Sequence, residues 1–160
     1  MPDMLVKLYE LPPLEGLIAA QREQGVVVRR AIGPERHHVL EWVAEHFDAD
    51  WASECAVAFA QTPISCFVAV QDHTLLGFAC HDATTCNFFG PTGVRADQRG
   101  RGIGKALLLA CLHQMRAIGY AYAVIGDPGP EEFYAATVGA FAIPGSSPGV
   151  YAGMLRRNDD

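Results

Sequence analysis

No Cys-x-x-Cys pair occurs in the 160-residue chain, and the five cysteines, Cys55, Cys66, Cys80, Cys86 and Cys111, are odd in number. A disulfide framework needs paired thiols and a structural zinc site needs tight ligand spacing, so neither is expected. Cys80, His81, Asp82 and Cys86 lie close in sequence without that spacing, and no metal is expected at them. The thiols read as small buried hydrophobes in a reducing, intracellular setting.

Basic charge is scarce as well. Twelve Lys and Arg against eighteen Asp and Glu leave a net charge of −6. Phosphate neutralisation by a basic face supplies most non-specific affinity for a duplex, so no nucleic-acid partner is expected. The start, Met1-Pro2-Asp3-Met4, has neither the basic nor the apolar region of a secretion signal. The longest uncharged run, residues 133–155, contains Pro144 and Pro148 around Gly145-Ser146-Ser147. That is turn chemistry, and no membrane partner is expected. There is no repeat, low-complexity tract or long linker. These absences together predict one soluble, cytoplasmic domain.

Half of the residues are apolar and 19% are charged, enough for a packed core. Residues 1–24, with Pro12-Pro13, read as an N-terminal arm packed on a domain spanning 25–160, although Met4 to Tyr9 could form a short strand. The β-branched run at 25–32 predicts a strand ended by Gly33-Pro34, and Pro34 opens a helix whose stripe is Val39, Leu40, Val43 and Ala44. Asp48 or Asp50 caps a second helix from Trp51 to about Gln61. Strands follow at 64–71 and 75–81, joined by a hairpin at Asp72-His73, and another at 87–94 carries Gly90-Pro91 inside it. Proline cannot donate to a ladder, so that pair marks an edge or a bulge. The strongest helix runs from Gly102 to Ile118, then come a strand at 120–125, a helix opened by Pro130, and closing strands at 140–143 and 150–154. This is an α/β order: a mixed sheet with helices on both faces.

The informative stretch is Val94-Arg95-Ala96-Asp97-Gln98-Arg99-Gly100-Arg101-Gly102-Ile103-Gly104-Lys105. A strand enters a loop with three glycines in five residues and passes directly into a long helix. Glycine admits close backbone approach and positive φ, and a helix start offers unpaired N–H groups and partial positive charge, a setting that favours phosphate. Arg95, Arg99, Arg101 and Lys105 put four of the twelve basic residues here. The P-loop pattern fails, because Arg99 stands at its first glycine and Ala106 at its hydroxyl position. The dinucleotide pattern fails too: the spacing is Gly100-x-Gly102-x-Gly104, with no acid near residues 119–123.

Arg99-x-x-Gly102-x-Gly104 matches the [Gln/Arg]-x-x-Gly-x-[Gly/Ala] signature, and over residues 26–151 the chain resembles the GNAT superfamily of N-acetyltransferases. The resemblance implies a mostly antiparallel mixed sheet with a splayed central strand pair, which gives Gly90-Pro91 a purpose. It implies acetyl-CoA as donor, with its pyrophosphate on Arg99, Gly100, Arg101, Gly102, Ile103, Gly104 and Lys105 and its pantetheine arm paired with Val94. It implies Tyr134 as the acid that protonates the leaving thiolate, although four residues separate Tyr134 from Gly139, one more than the family spacing. For the general base, His81 and Asp82 are nearest, followed by Glu41, Glu45, Glu54 and Asp127, and a water chain could substitute. Phe47 and Trp51 could line an acceptor pocket. The expected activity is direct acetyl transfer to a primary amine, of a small molecule by preference. The alternative is a catalytically silent acyl-CoA-binding or sensor module, and the uncharged tail could serve a homodimer.

Overall fold

The structure, a computed structural model, describes residues 1–156. Seven strands form one sheet: β1 (Met4–Lys7), β2 (Val27–Arg30), β3 (Cys66–Gln71), β4 (Thr74–His81), β5 (Phe88–Val94), β6 (Tyr122–Ile125) and β7 (Phe141–Ala142). Their spatial order is β2-β3-β4-β5-β6-β1-β7. Every pairing is antiparallel except β5 with β6. The mixed, mostly antiparallel α/β architecture read from the sequence is therefore present.

Helices cover both faces. On one face α4 (Ile103–Ala117) lies between α1 (Glu15–Glu23) and α5 (Glu131–Val138), and Leu107, Leu109, Leu112 and Met115 bury completely against Val6, Ala69 and Ala123. On the other face α2 (Arg36–His46) and α3 (Ala49–Ala60) bury Val43, Cys55 and Ala58 against Val68, Phe78 and Cys80. Burial of this kind contributes roughly 1.5–3 kcal/mol per large aliphatic side chain. Asp48, one of the two caps read from the sequence, accepts from the Trp51 amide at 2.8 Å, and α3 starts at Ala49, two residues before the expected Trp51.

Two parts of the sequence reading change. Residues 1–24 supply β1, which sits inside the sheet between β6 and β7, and α1, which packs on α4. The strand expected at 150–154 is replaced by one tight helical turn, Gly149–Tyr151. The far side of β6 is occupied by β1, which pairs with it over four residues, from Met4↔Ile125 to Lys7↔Tyr122.

The fork that positions the site lies between β5 and β6. They pair over two residues only, Phe88↔Val124 and Phe89↔Ile125. From Ala79 to His81 β4 advances two residues while its partner β5 runs from Thr92 to Phe89, so β5 carries one extra residue. The bulge is Gly90-Pro91, with Gly90 at φ +116° and Pro91 lacking a ladder donor. Beyond it β5 stays on β4 and leaves β6.

Candidate active site

Past the bulge, one side of the β5 backbone has no strand partner, and on it the Val94 carbonyl accepts from Arg99 Nε at 3.3 Å. Arg95 N–H donates to Leu76 C=O at 2.8 Å, so residue 95 faces 76 in a hydrogen-bonded pair. Antiparallel ladders alternate, which leaves the N–H and C=O of Val94, opposite Gly77, pointing away from β4 into the fork. A secondary amide of an extended chain can pair there as a further strand would. The other face of the strand is closed, because a Cβ built on Gly93 would lie 2.2 Å from the Phe47 ring.

After Val94 the chain makes one tight turn at Ala96–Gln98, is extended at Arg99, and takes φ +81° at both Gly100 and Gly102. Gly102 is the N-cap of α4 and gives the helix no side-chain cap, nor is there an acid in its first turn. The amides of Ile103, Gly104 and Lys105 are consequently without intrahelical partners, and the first bond is Ala106 N–H to Gly102 C=O at 3.1 Å. Amides, dipole and nearby cations together fit a diphosphate.

The four basic residues of the loop divide by task. Arg99 and Lys105 are outside every ion pair among the described residues, while Arg95 is held by Asp97 at 2.6 Å. Arg101 turns away from the helix end and reaches Gln24 Oε1 at 3.1 Å, Gln71 Oε1 at 3.2 Å and Gln98 Oε1 at 2.5 Å. Its carbonyl accepts from Gln21 Nε2 at 2.9 Å. Its side chain thus staples the loop to α1 and β3, leaving only its main chain for a ligand.

Tyr134 lies on α5, 5% exposed, with its ring edge-on to Phe89 at 6.3 Å, the last β5 residue before the fork opens. Burial alone pushes its phenol up to about 12. The group holds its proton throughout the neutral range and is available to donate a hydrogen bond.

His81 and Asp82 are brought together, but elsewhere. His81 Nδ1 and Asp82 Oδ2 are 2.6 Å apart, and Asp82 Oδ1 accepts from Tyr120 Oη and the Asn87 amide, both at 2.7 Å. Burial opposes the charge on Asp82, yet the bonds from Tyr120, His81 and Asn87 outweigh it and hold the carboxyl below its ordinary value. The same bond drives Tyr120 up to about 12. The group lines a cavity of about 230 Å³ with Gln114 and Ile118. These stand at the opposite end of α4 from Gly102, and a fifteen-residue helix is about 22 Å long. The dyad ties the β4–β5 connection to the foot of β6.

A different carboxylate lies on the α2–α3 side of the sheet, against the β4–β5 connection. Glu54, on α3 one turn beyond Trp51, accepts a short hydrogen bond from Thr84 Oγ1. Burial raises its carboxyl above the ordinary value, as do Asp48 and Asp50, while Thr84 lowers it. Next to it, the Tyr151 hydroxyl is raised by burial and by the charges of Glu54, Asp3 and Asp127. Tyr151 and the Phe88 ring both abut Gly126, directly after β6, so that any Cβ at residue 126 would collide with them. Of the earlier candidates, Glu41 and Glu45 are exposed, and Asp127 is two-thirds exposed beside the N-terminus. The sequence contained Glu54 as one of several acids; no local signal joined it to Thr84, thirty residues away. Among the described residues no three His, Cys, Asp or Glu side chains gather as metal ligands, and no helix is long and apolar enough to cross a membrane.

The sequence model of the Acetyltransferase (GNAT) family matches residues 35–137. A search of curated proteins finds no match. Among solved structures, a GCN5-related glucosamine N-acetyltransferase region of a fungal multi-domain β-N-acetylglucosaminidase is similar at 14% identity and TM-score 0.72, covering 89% of this chain and 19% of that one. A GCN5-related N-acetyltransferase from Sphaerobacter thermophilus is similar at 22% identity and TM-score 0.67, covering 89% of this chain and 48% of that one. A GNAT family acetyltransferase from Brucella melitensis in complex with acetyl-CoA shares 17% identity at TM-score 0.57, covering 74% of this chain and 88% of that one. At such identities the likeness shows the fold. The chain spans less than half the length of the first two of these relatives.

Proposed function

The chain belongs to the acetyltransferase (GNAT) family, and on that footing we propose that it transfers an acetyl group from acetyl-CoA to a primary amine of a small molecule, by direct attack in a ternary complex. The observation that carries this is the continuity of the fork with an uncapped helix start: outward main chain at Val94, then free amides at Ile103, Gly104 and Lys105. The donor supplies a thioester carbonyl. The diphosphate would rest on the amides from Gly100 to Lys105, with Arg99 and Lys105 adding charge, and the pantetheine amide would pair with Val94. The structure of the Brucella relative in complex with acetyl-CoA supports that donor for this chain too.

In this reading Tyr134, against Phe89 at the base of the fork, hydrogen-bonds the departing sulfur, and its raised pKa keeps it protonated. The acceptor enters from the α2–α3 face. An ammonium must lose a proton before attack, and Glu54, half-buried with its carboxyl shifted toward neutrality, is the group we assign to take it. His81 and Asp82, the nearest bases in sequence, serve the fold at the far end of α4 instead. Asp48, Asp50 and Glu54 together favour a cationic acceptor, in keeping with the net charge of −6.

Calorimetry with acetyl-CoA, followed by thiol release across a panel of amines, tests the reading. Binding in the micromolar range and turnover with at least one small amine are expected. Binding without turnover on any amine leaves the silent acyl-CoA module; no binding removes both.

A further inference from the structure

A cavity lies away from the fork, under α1 and against the β2–β3 edge, with β4 and β5 between it and the fork. It has about 430 Å³, a size common for small-molecule sites. Its walls are Ile18 of α1, Phe67 of β3 and Ala110 of α4, with three polar groups, Arg30, His113 and Gln114. His113 Nε2 bonds the Pro12 carbonyl at 2.8 Å, which ties the segment before α1 to α4 and fixes the cavity mouth.

Arg30 is the anomaly. Its guanidinium lies over the Phe67 ring, 5.5 Å from the centroid, and its Nε is buried without a hydrogen-bond partner. No carboxylate pairs with it among the described residues, although the adjacent Arg29 holds Glu35 through two bonds of 2.8 and 2.6 Å. A partly buried cation without a counter-charge is costly, and in a chain with six more acids than bases the missing partner is not for want of carboxylates. A flat cation fixed on an aromatic face, open to an apolar space, has the form of a carboxylate receptor.

We propose that this cavity binds a small organic carboxylate with an apolar body, the carboxylate forked onto Arg30 and the body lying against Ile18, Phe67 and Ala110. Gln114, which lines the same cavity, supplies a further donor. The site is separate from the acetyl-CoA fork and does not depend on acetyl transfer, so a chain inactive toward acetyl-CoA would still answer the test.

Hexanoate and 3-phenylpropionate, each beside its own primary amide, are titrated into the full chain and followed by backbone amide shifts in NMR. Saturable shifts at Val28, Arg30, Ala110 and Gln114 are expected for the acids, with the amides at least about tenfold weaker. Arg30→Met should weaken the acids by at least about tenfold. Should that variant fail to fold, Ile18→Glu keeps Arg30, offers it an internal partner, and should abolish binding. The proposal is overturned if the acids bind no better than the amides, if shifts appear at Gly100 to Lys105 instead, if nothing saturates by about 10 mM, or if only a carboxylate-bearing peptide occupies the cavity.

Discussion

Alanine at Gly102 and alanine at Gly104 separate two uses of glycine in the loop before α4. Gly102 has φ +81°, and a Cβ there would stand 3.1 Å from Gln21 Nε2. The left-handed conformation costs a non-glycine residue about 1–2 kcal/mol. Moving Gln21 aside also weakens its 2.9 Å bond to the Arg101 carbonyl, worth about 1 kcal/mol. Gly102→Ala should therefore cost about 2–3 kcal/mol, a fall in Tm of roughly 4–12 °C for a domain of this size. Gly104 is different. It lies inside the helix with ordinary φ, and its Cβ would meet only Val94 Cγ2 at 3.7 Å. Gly104→Ala should leave Tm unchanged or raise it by a few degrees, since alanine is the better helix former by about 1 kcal/mol. The functional readout is acetyl-CoA affinity by calorimetry. Gly102→Ala redirects amides that should hold the diphosphate and ought to weaken binding by about tenfold or more, whereas Gly104→Ala should change it by less than about threefold. Scanning calorimetry and titration on the two variants suffice. Wild-type affinity in a destabilised Gly102→Ala would refute the assignment of the amides; equal loss in both variants would mean the ligand lies on the helix itself.

Removing the Tyr134 hydroxyl as Tyr134→Phe should lower kcat about a hundredfold while leaving acetyl-CoA affinity within twofold, since the ring keeps its place on Phe89; a loss of affinity instead would make it a packing residue. Because Tyr134 releases its proton only near about 12 and Glu54 must be ionised to act, the kcat/KM profile should rise with pH and show no descending limb below about pH 10. Glu54→Gln should flatten the rising limb and lower kcat at neutral pH by at least about tenfold, where His81→Gln should not. Asp82, with its carboxyl held below the ordinary value, contributes stability above its unfolded pKa near 4 and loses it as pH falls through the lower folded value. Asp82→Asn should cost about 2–3 kcal/mol at pH 7 by chemical denaturation and less at pH 3; equal costs at both would contradict the charged network.

What was legible in the sequence was what local chemistry decides. The glycines at 100 and 102, the interrupting Gly90-Pro91 and the apolar stripe of α4 each specify a backbone event within a few residues, and each occurs where expected. Two kinds of information were missing. β1 carries only four residues and gains its place from pairing with β6, more than a hundred residues on, which no window reads. The roles of charged side chains depend on such distant partners too. Arg101 lies in a basic loop yet, besides Gln98 of the same loop, serves two distant glutamines, Gln24 and Gln71. His81 and Asp82 lie next to the fork strand in sequence, and in register His81 even pairs with Phe89, but side-chain alternation turns its ring under α4.

The same long-range pairing explains why an N-terminal strand bears on the fork. Asp3, 5% exposed, takes the Asp127 amide on Oδ1 at 3.2 Å, donates its own amide to Ser146 Oγ at 2.7 Å, and offers its carbonyl to Ile143 N–H at 2.7 Å. One residue thereby fixes both the turn after β6 and the turn after β7. The first of these turns carries Gly126 and leads into α5 with Tyr134; the second leads to Tyr151, which returns to Gly126. The position of Tyr134 on one face and of Tyr151 on the other thus depends on β1 being in the sheet. A fork with only two paired residues has little rigidity of its own, so the stiffness of its β6 arm must come from the strand on its far side. That is the physical reason for four consecutive pairs between β1 and β6 where β5 supplies two.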